Sequence, residues 1–193
     1  DDVVPGDAAR DDVAPGVLVP GVVVRAGVPD DAPALARVHV AAWRGAYRGQ
    51  MPDAYLDGLD VERWTEGWRR MFAQGRAEHL HVAELDGTLV GFVDVGPERE
   101  PAPEDPPGRG ELYAINVHPD AWGAGAGPAL LAAAHARLHA LGFGEAVLWV
   151  LPGNPRARRF YERAGWHDDA VEKDAVINGA AITERRYART LPA

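Results

Sequence analysis

Three alternating glycines stand where an apolar, β-branched run meets an Ala- and Leu-rich stretch of helical character. The run ends at Val117, the glycines are Gly123, Gly125 and Gly127, and the helical pattern starts at Pro128. A strand that leads through glycines into a helix N-terminus forms an anion site, because unpaired N–H groups and the positive end of the helix dipole converge there. Glycine also lets the backbone approach a phosphate without a Cβ in the way. These residues therefore predict a site for a phosphate or pyrophosphate.

The sequence of this loop excludes two common nucleotide-binding motifs. A nucleotide-triphosphate loop requires Lys-Ser or Lys-Thr after its last glycine, whereas Pro128-Ala129 follows here. The dinucleotide fingerprint requires Gly-x-Gly-x-x-Gly early in a βαβ unit, whereas these glycines alternate and lie late in the chain. The phosphate must belong to a different kind of ligand.

A second motif lies beyond the next apolar strand. Residues 122–127 resemble Gln/Arg-x-x-Gly-x-Gly/Ala, and residues 154–166 resemble Asn-x-x-Ala-x-x-Phe-Tyr-x-x-x-Gly-Phe, with Trp166 in the final Phe place. These are the motifs of the GNAT superfamily of N-acyltransferases. The resemblance covers roughly residues 22 to 190, so the chain is identified as a member of that superfamily.

This resemblance implies a fold, a donor and several site residues. The fold is α/β (α+β), with a mixed, mostly antiparallel sheet and helices on both faces, and the donor is acetyl-CoA as co-substrate. The backbone of Ile115 and Val117 would pair with the pantetheine arm, and the Val117 N–H would polarise the thioester carbonyl. Asn154 would bond the arm as well as cap its helix, and Tyr161 would protonate the leaving thiolate. The pyrophosphate would lie on the loop backbone, made by Trp122, Gly123, Ala124, Gly125, Ala126 and Gly127.

Two side chains are the first candidates for proton transfer. An ordinary Tyr pKa of about 10 lies above that of a thiol, near 8.5, so Tyr161 can protonate a thiolate. The alternative is that Tyr161 only packs beside Phe160. The best candidate for the amine's general base is Glu111, at the start of the strand that would deliver the thioester; the alternative is an exposed strand-end residue. Asp94 and Glu84 are further candidates, and the reaction can also proceed without a dedicated base.

Aromatic residues of the first helices predict the acceptor pocket. Trp43, Tyr47, Met51 and Tyr55 would provide its walls, and Arg44 could pair with a carboxylate on the substrate. The alternative is that Trp43 packs in the core and Arg44 is solvated.

The loop departs from the family pattern at three positions. Trp122 replaces the Gln or Arg, and Ala124 and Pro128 stand where a basic or hydroxyl residue is frequent. Pro128 also lacks an N–H, although proline suits the first turn of a helix. Phosphate binding would then rest on the backbone, with help from Arg158 or Arg159.

The composition narrows the functional class. The chain has 193 residues, of which 47% are hydrophobic and 25% charged, and its net charge is −9, which is typical of one globular domain. The acidic balance argues against a nucleic-acid surface and suits a cationic acceptor such as an amine. The absence of cysteine excludes disulfides, thiolate metal sites and an acyl-cysteine intermediate. We therefore expect direct transfer in a ternary complex.

The chain also carries indications of its organisation. We expect residues 1–20 to be a flexible tail and residues 21–193 to form a single domain. No apolar run approaches the ~20 residues of a membrane span, and the Asp-rich start lacks a signal-peptide core, which predicts a cytoplasmic protein with no membrane partner. The resemblance also allows a homodimer.

Histidine pairs raise the question of a metal. His79 and His81 on a strand, and His135 and His139 on a helix, have metal-like spacings, but neither pair has a third ligand nearby in sequence. We expect no metal site. His118, before Pro119, is expected to stabilise a turn rather than act as a base.

Periodicity and turn signals predict the elements in the order β–α–α–β–β–β–α–β–α–β–β. The predicted strands are 22–25, 79–85, 88–95, 111–117, 146–151, 166–173 and 181–189. The predicted helices are 31–47, a short stretch around Tyr55, and 61–74, 128–141 and 155–164. Asp86-Gly87 is a hairpin signal, and residues 96–110 are expected to form an irregular loop.

The sequence thus predicts an N-acetyltransferase that moves acetyl from acetyl-CoA to a primary amine of a small molecule. A protein N-terminus or lysine is the alternative acceptor. A non-catalytic acyl-CoA-binding sensor module is the alternative of a different class.

Overall fold

Seven strands form one mixed sheet with helices on both faces. The computed structural model describes residues 20–101, 105–177 and 180–191, and its strand order is β1-β2-β3-β4-β5-β7-β6. Neighbouring strands are antiparallel except β4 and β5, which are parallel. The strands are β1 (Val22–Ala26), β2 (His81–Leu85), β3 (Thr88–Pro97), β4 (Gly110–Val117), β5 (Glu145–Val150), β6 (His167–Ile177) and β7 (Ala180–Thr190). The helices are α1 (Ala32–Tyr47), α2 (Asp53–Asp57), α3 (Val61–Ala73), α4 (Ala126–Ala140) and α5 (Pro155–Arg163).

Two cores form because alternate strand residues point to opposite faces. Val82 and Phe92 pack with α1 and α3 on one face. Ala83, Val93 and Val95 pack with α4 and α5 on the other. The predicted fold class, a mostly antiparallel mixed sheet covered on both faces, is confirmed.

Local chemistry explains several boundaries. Asp86 and Gly87 both have positive φ, 49° and 78°, as the tight hairpin between β2 and β3 requires. The carboxylate of Asp60 accepts the Arg63 N–H at 2.7 Å and caps α3. Asn154 caps α5 in the same way, through the Ala157 N–H at 3.0 Å.

Several predicted boundaries differ from the structure; β2 begins at His81 rather than at residue 79, and β6 extends to Ile177 rather than to residue 173. β3 continues to Pro97, opposite Gly110, so the first residues of the expected irregular loop belong to the sheet. α4 begins at Ala126 rather than Pro128, because Gly125 takes the left-handed conformation at its N-cap. Pro128 therefore lies inside the first turn, where an N–H has no intrahelical partner and its loss costs little.

The expected tail lies outside the described residues, apart from Pro20. Among the helices the structure does describe, none has the length and apolar character needed to cross a bilayer.

Candidate functional site

The central feature of the site is a cleft between the two parallel strands. β4 and β5 pair only at Gly110, Glu111 and Leu112. The ladder between β3 and β4 skips Tyr113, and residues 114–117 pair with β3 but, within the described strands, not with β5. These residues are only half-buried although β4 is central. The strands therefore separate, and one edge of β4 is left facing the cleft.

The backbone of this open edge has a fixed direction. The His118 N–H donates to the Val90 carbonyl of β3 at 2.7 Å. Because successive strand residues point their N–H and C=O groups to alternate sides, those of Ile115 and Val117 point away from β3, into the cleft. These are the two residues that the resemblance assigns to the donor arm. The Val117 carbonyl accepts a hydrogen bond from the Trp122 indole at 2.9 Å.

The glycine loop leads from this edge to the start of α4. Gly123 and Gly125 have φ of 86° and 91°, a region that favours glycine. The first-turn N–H groups of Ala126 and Gly127 have no intrahelical acceptor. A Cβ on Gly127 would lie 3.4 Å from the Phe160 ring, so α5 closes the loop from one side. The backbone is thus arranged as an anion cradle.

Tyr161 lies in α5, in the same apolar cluster as Ile115 and Val117, with only 7% of its surface exposed. Its ring packs near Phe160 and Trp166, and its hydroxyl has no hydrogen-bond partner among the described residues. Burial raises the pKa of Tyr161 above its ordinary value, and the neighbouring Tyr47 adds to the shift. The phenol therefore stays protonated and available as a donor.

Asn154 is also positioned by α5. It is buried, and its side-chain oxygen is used in the helix cap. Its amide NH₂ makes no hydrogen bond to any other residue that the structure describes. Capping and ligand binding are therefore compatible, as the sequence suggests.

Glu111 is buried at 2% exposure rather than exposed at a strand end. Its carboxylate accepts the Arg99 N–H at 2.9 Å and the Arg99 guanidinium Nη2 at 2.6 Å. Arg99 lies 4.2 Å from the centre of the Tyr113 ring. The base candidate is therefore held by a cation, and Arg99 lies between it and the solvent.

Glu184 is a second carboxylate near the site, and it was not found from the sequence. It lies on β7 opposite Lys173, whose Nζ is 3.8 Å away. Burial raises the pKa of Glu184, while Lys173 and Arg99 lower it. Its charge also contributes, after burial, to the raised pKa of Tyr47. The only signal in the sequence for the position of Glu184 is strand alternation. This alternation places Glu184 and Arg186 on one face of the sheet and Arg185 and Tyr187 on the other.

The predicted acceptor walls form one cluster at the end of α1. The ring centres of Trp43 and Tyr47 are 5.1 Å apart, and those of Trp43 and Tyr55 6.2 Å. The cluster packs against Leu151, which follows β5. Arg44 lies close by, but its guanidinium donates to the carbonyls of Leu56, Asp57 and Leu59. Arg44 therefore links α1 to the connection between α2 and α3 through these hydrogen bonds.

A cavity of about 300 Å³ adjoins Arg99 on the α3 side of the sheet. Its lining includes Tyr113, Arg76 and Asp94. Asp94 is 7% exposed, and burial raises its pKa to about 6 although Arg99 and Arg76 oppose the shift.

Two arginines of α5 make contacts that the sequence did not predict. Arg158 donates to the Tyr187 hydroxyl at 2.9 Å, on the β7 side. Arg156 instead stacks on the Trp122 ring, 3.4 Å from its centre. The cation beside the loop is thus Arg156, which the sequence did not single out.

Three of the histidines accept hydrogen bonds from protein groups. His79 accepts from Arg137, His135 accepts from the Trp166 indole at 3.1 Å, and His118 accepts the Asp120 N–H in the turn. Burial lowers the pKa of His135 to about 4. No group of three metal-ligating side chains occurs in residues 20–101, 105–177 and 180–191.

Comparison with known proteins decides the family. The model of the Acetyltransferase (GNAT) family matches residues 40–166. The chain belongs to this family. It is 34% identical over 164 residues to the uncharacterized N-acetyltransferase YuaI of Bacillus subtilis, covering 84% of this chain and 90% of that protein. It is 37% identical over 161 residues to the mycothiol acetyltransferase of Cellulomonas flavigena, covering 80% of this chain but only 43% of that protein.

Solved structures share the fold of this GNAT acetyltransferase. The PaiA N-acetyltransferase of Thermoplasma acidophilum, solved with coenzyme A, matches with a TM-score of 0.68 at 18% identity, covering 88% of this chain and 98% of that one. YncA of Salmonella typhimurium, solved with acetyl-CoA, matches with a TM-score of 0.62 at 17% identity, covering 89% and 95%.

Proposed function

We propose that this acetyltransferase transfers acetyl from acetyl-CoA directly to a primary amine of a small molecule. The observation that carries the proposal is the cleft, in which the backbone edge of β4 that does not pair with β5 leads into the glycine cradle. Two related structures contain coenzyme A or acetyl-CoA, and the mycothiol acetyltransferases among the relatives favour a small acceptor over a protein.

The described residues suit this donor. The N–H groups of Ile115 and Val117 and the C=O group of Ile115 can pair with an extended amide arm as an added strand would. The cradle from Gly123 to Gly127 offers N–H groups and a helix dipole to a pyrophosphate. The unused amide of Asn154 gives one more donor beside the arm.

The acceptor side suits a cationic amine. The carboxylates of Glu111 and Glu184 and the aromatic rings of Trp43 and Tyr47 lie on the face of the sheet that carries α1. Carboxylates attract an ammonium group to this face, and the rings provide apolar contact. The amine must then lose a proton before it can attack.

The proposed reaction balances in four changes. The neutral amine nitrogen forms a bond to the thioester carbon, whose oxygen is polarised by a β4 N–H. The amine proton passes to Glu111, directly or through a water. The carbon–sulfur bond then breaks, and Tyr161 gives its proton to the thiolate. Solvent returns the proton from the base to the phenolate.

Release of free thiol from acetyl-CoA across a panel of small amines, amino acids and peptides tests this proposal. Small primary amines should stimulate release, with one acetylated amine formed for each thiol. Coenzyme A binding without turnover on any amine would favour a sensor. Turnover on peptides alone would make the acceptor a protein, and a failure to bind coenzyme A in calorimetry would overturn the donor assignment.

A further inference from the structure

The glycine loop contains no basic side chain. We propose that Arg156, held against the face of Trp122, supplies the cation that binds the coenzyme A pyrophosphate. This inference rests on the proposed donor. It concerns a residue outside the glycine motif and outside the positions that the sequence suggested for a phosphate.

The first step is the position of Trp122. Its indole N–H is bound to the Val117 carbonyl at 2.9 Å. A Cβ on Gly45 would lie 3.1 Å from the far edge of the same indole, so α1 supports the ring from one side. Trp122 is therefore fixed between the β4 edge and α1, directly before Gly123.

The second step is the position of the guanidinium. Arg156 lies 3.4 Å from the centre of the Trp122 ring, a distance at which a flat cation stacks on an indole face. Phe160, one helical turn later, contacts the site of Gly127. Since residues four apart lie on the same side of a helix, one stripe of α5 follows the loop from Trp122 to Gly127. The guanidinium is thus held at the Trp122 end of the loop, on the side of α5 that contacts Gly127.

The third step is charge. Among the described residues no carboxylate pairs with Arg156, whereas Arg158 donates to Tyr187. Desolvation alone accounts for the lowered pKa of Arg156. A charged guanidinium without a counter-ion, beside an anion cradle, is suited to a phosphate oxygen, and its donors can bind two such oxygens at once.

The test compares Arg156→Ala with the unchanged protein in calorimetry. Three probes are used: coenzyme A, dephospho-CoA, which lacks the 3′-phosphate, and pantetheine, which lacks every phosphate. We expect Kd to rise about five- to tenfold for both coenzyme A and dephospho-CoA. Pantetheine should bind both proteins equally. The loss of coenzyme A affinity in Arg156→Ala should be smaller at high salt.

Two further variants serve as controls. Arg63→Ala removes an exposed cation on α3, across the sheet, and should leave all three affinities unchanged. Trp122→Leu removes the stacking surface and should give part of the Arg156→Ala loss, because the guanidinium is no longer held at the loop. Unchanged melting temperatures would show that the variants fold.

Three results would overturn the inference. Coenzyme A could bind Arg156→Ala as tightly as the unchanged protein. The loss could disappear with dephospho-CoA, which would place the contact at the 3′-phosphate. Pantetheine could lose as much affinity as coenzyme A, which would make Arg156 structural. If the unchanged protein bound no coenzyme A, the proposed function would fail instead.

Discussion

The pair of Glu111 and Arg99 determines how the base assignment can be tested. Glu111→Gln keeps the size and most hydrogen bonds of the side chain but removes the carboxylate. If Glu111 takes the amine proton, kcat/KM should fall about 100-fold, within the range of general base catalysis. Steady-state rates with acetyl-CoA and the best amine measure this.

Arg99→Gln is the matched control, because it breaks the same ion pair and leaves the carboxylate in place. It should retain or increase kcat/KM, since Glu111 is then freer to accept a proton. Equal losses in the two variants would mean that Glu111 serves only to hold Arg99.

The raised pKa of Asp94 predicts that the free energy of unfolding depends on pH. Its folded pKa of about 6 lies above the unfolded value of about 3.9. The folded state therefore holds the proton more tightly, and the free energy of unfolding falls as pH rises from about 4 to 6. Asp94→Asn should be more stable than the unchanged protein by about 2 kcal/mol at pH 8 and about equal near pH 4. Urea unfolding at both pH values measures this, and an equal difference at both would contradict it.

At the scale of single residues, the sequence could identify groups that belong to a motif but not their partners. The spacing of the motif predicts Tyr161 and Asn154 as site residues, and the structure places Asn154 at the N-cap of α5 and Tyr161 within that helix. Arg99, the partner of Glu111, lies in the segment that was predicted to be an irregular loop. No periodicity in that segment predicts that the Arg99 side chain contacts Glu111. Helical spacing shows that Arg156 and Phe160 share a face, yet only the packing shows that this face meets the loop.

The joining point of β4 and β5 allows a prediction about elements. A Cβ on Gly110 would lie 2.6 Å from Leu138 and 3.0 Å from Phe143, so Gly110→Ala should reduce the free energy of unfolding by about 1–3 kcal/mol. Gly144, just before β5, has nothing within 4 Å of such a Cβ. Gly144→Ala should therefore be neutral or slightly stabilising. Chemical denaturation of both variants measures the contrast, and equal effects would contradict the packing described here.

Elements with a local cause were predicted well. Asp86-Gly87 fixes its hairpin whatever surrounds it, and Asp60 caps α3 from within the same turn. The start of α4 was wrong by two residues, because Pro128 was read as the helix start while Gly125 ends the loop. The end of β3 depended on pairing with β4, a contact between distant residues that periodicity does not contain.

For the whole molecule, buried histidines predict a loss of stability in acid. Burial lowers the pKa of His39 and of His135 to about 4, whereas an unfolded histidine titrates near 6.5. The unfolded state therefore binds more protons between these values, and stability should fall as pH drops from 6.5 to 4. With the opposite effect of Asp94, melting temperature should be highest near pH 6 to 7.

His39→Phe isolates one part of this effect. His39 stacks on Trp64 at 3.7 Å, and both its ring nitrogens are buried without partners among the described residues. Phe keeps the stacking and cannot be protonated. The free energy of unfolding of the variant should therefore fall by about 2 kcal/mol less than that of the unchanged protein between pH 7 and 4. Identical melting profiles would show that His39 is not a source of the acid sensitivity.

The overall architecture was largely predictable, because strand and helix order together with two motifs define the fold. The separation of β4 from β5 after three residue pairs was not visible in the sequence. It begins where the ladder between β3 and β4 skips Tyr113. That separation creates the cleft in which we propose that acetyl transfer takes place.

Tyr161→Phe tests most directly whether acetyl transfer to an amine takes place in this cleft. The measurement is amine-dependent thiol release from acetyl-CoA, with the Kd of coenzyme A determined in parallel by calorimetry. We predict clear amine-dependent release by the unchanged protein and a fall in kcat of about 100-fold in the variant, with Kd altered less than about twofold. Full turnover by Tyr161→Phe, or no amine-dependent release by the unchanged protein, would contradict the account.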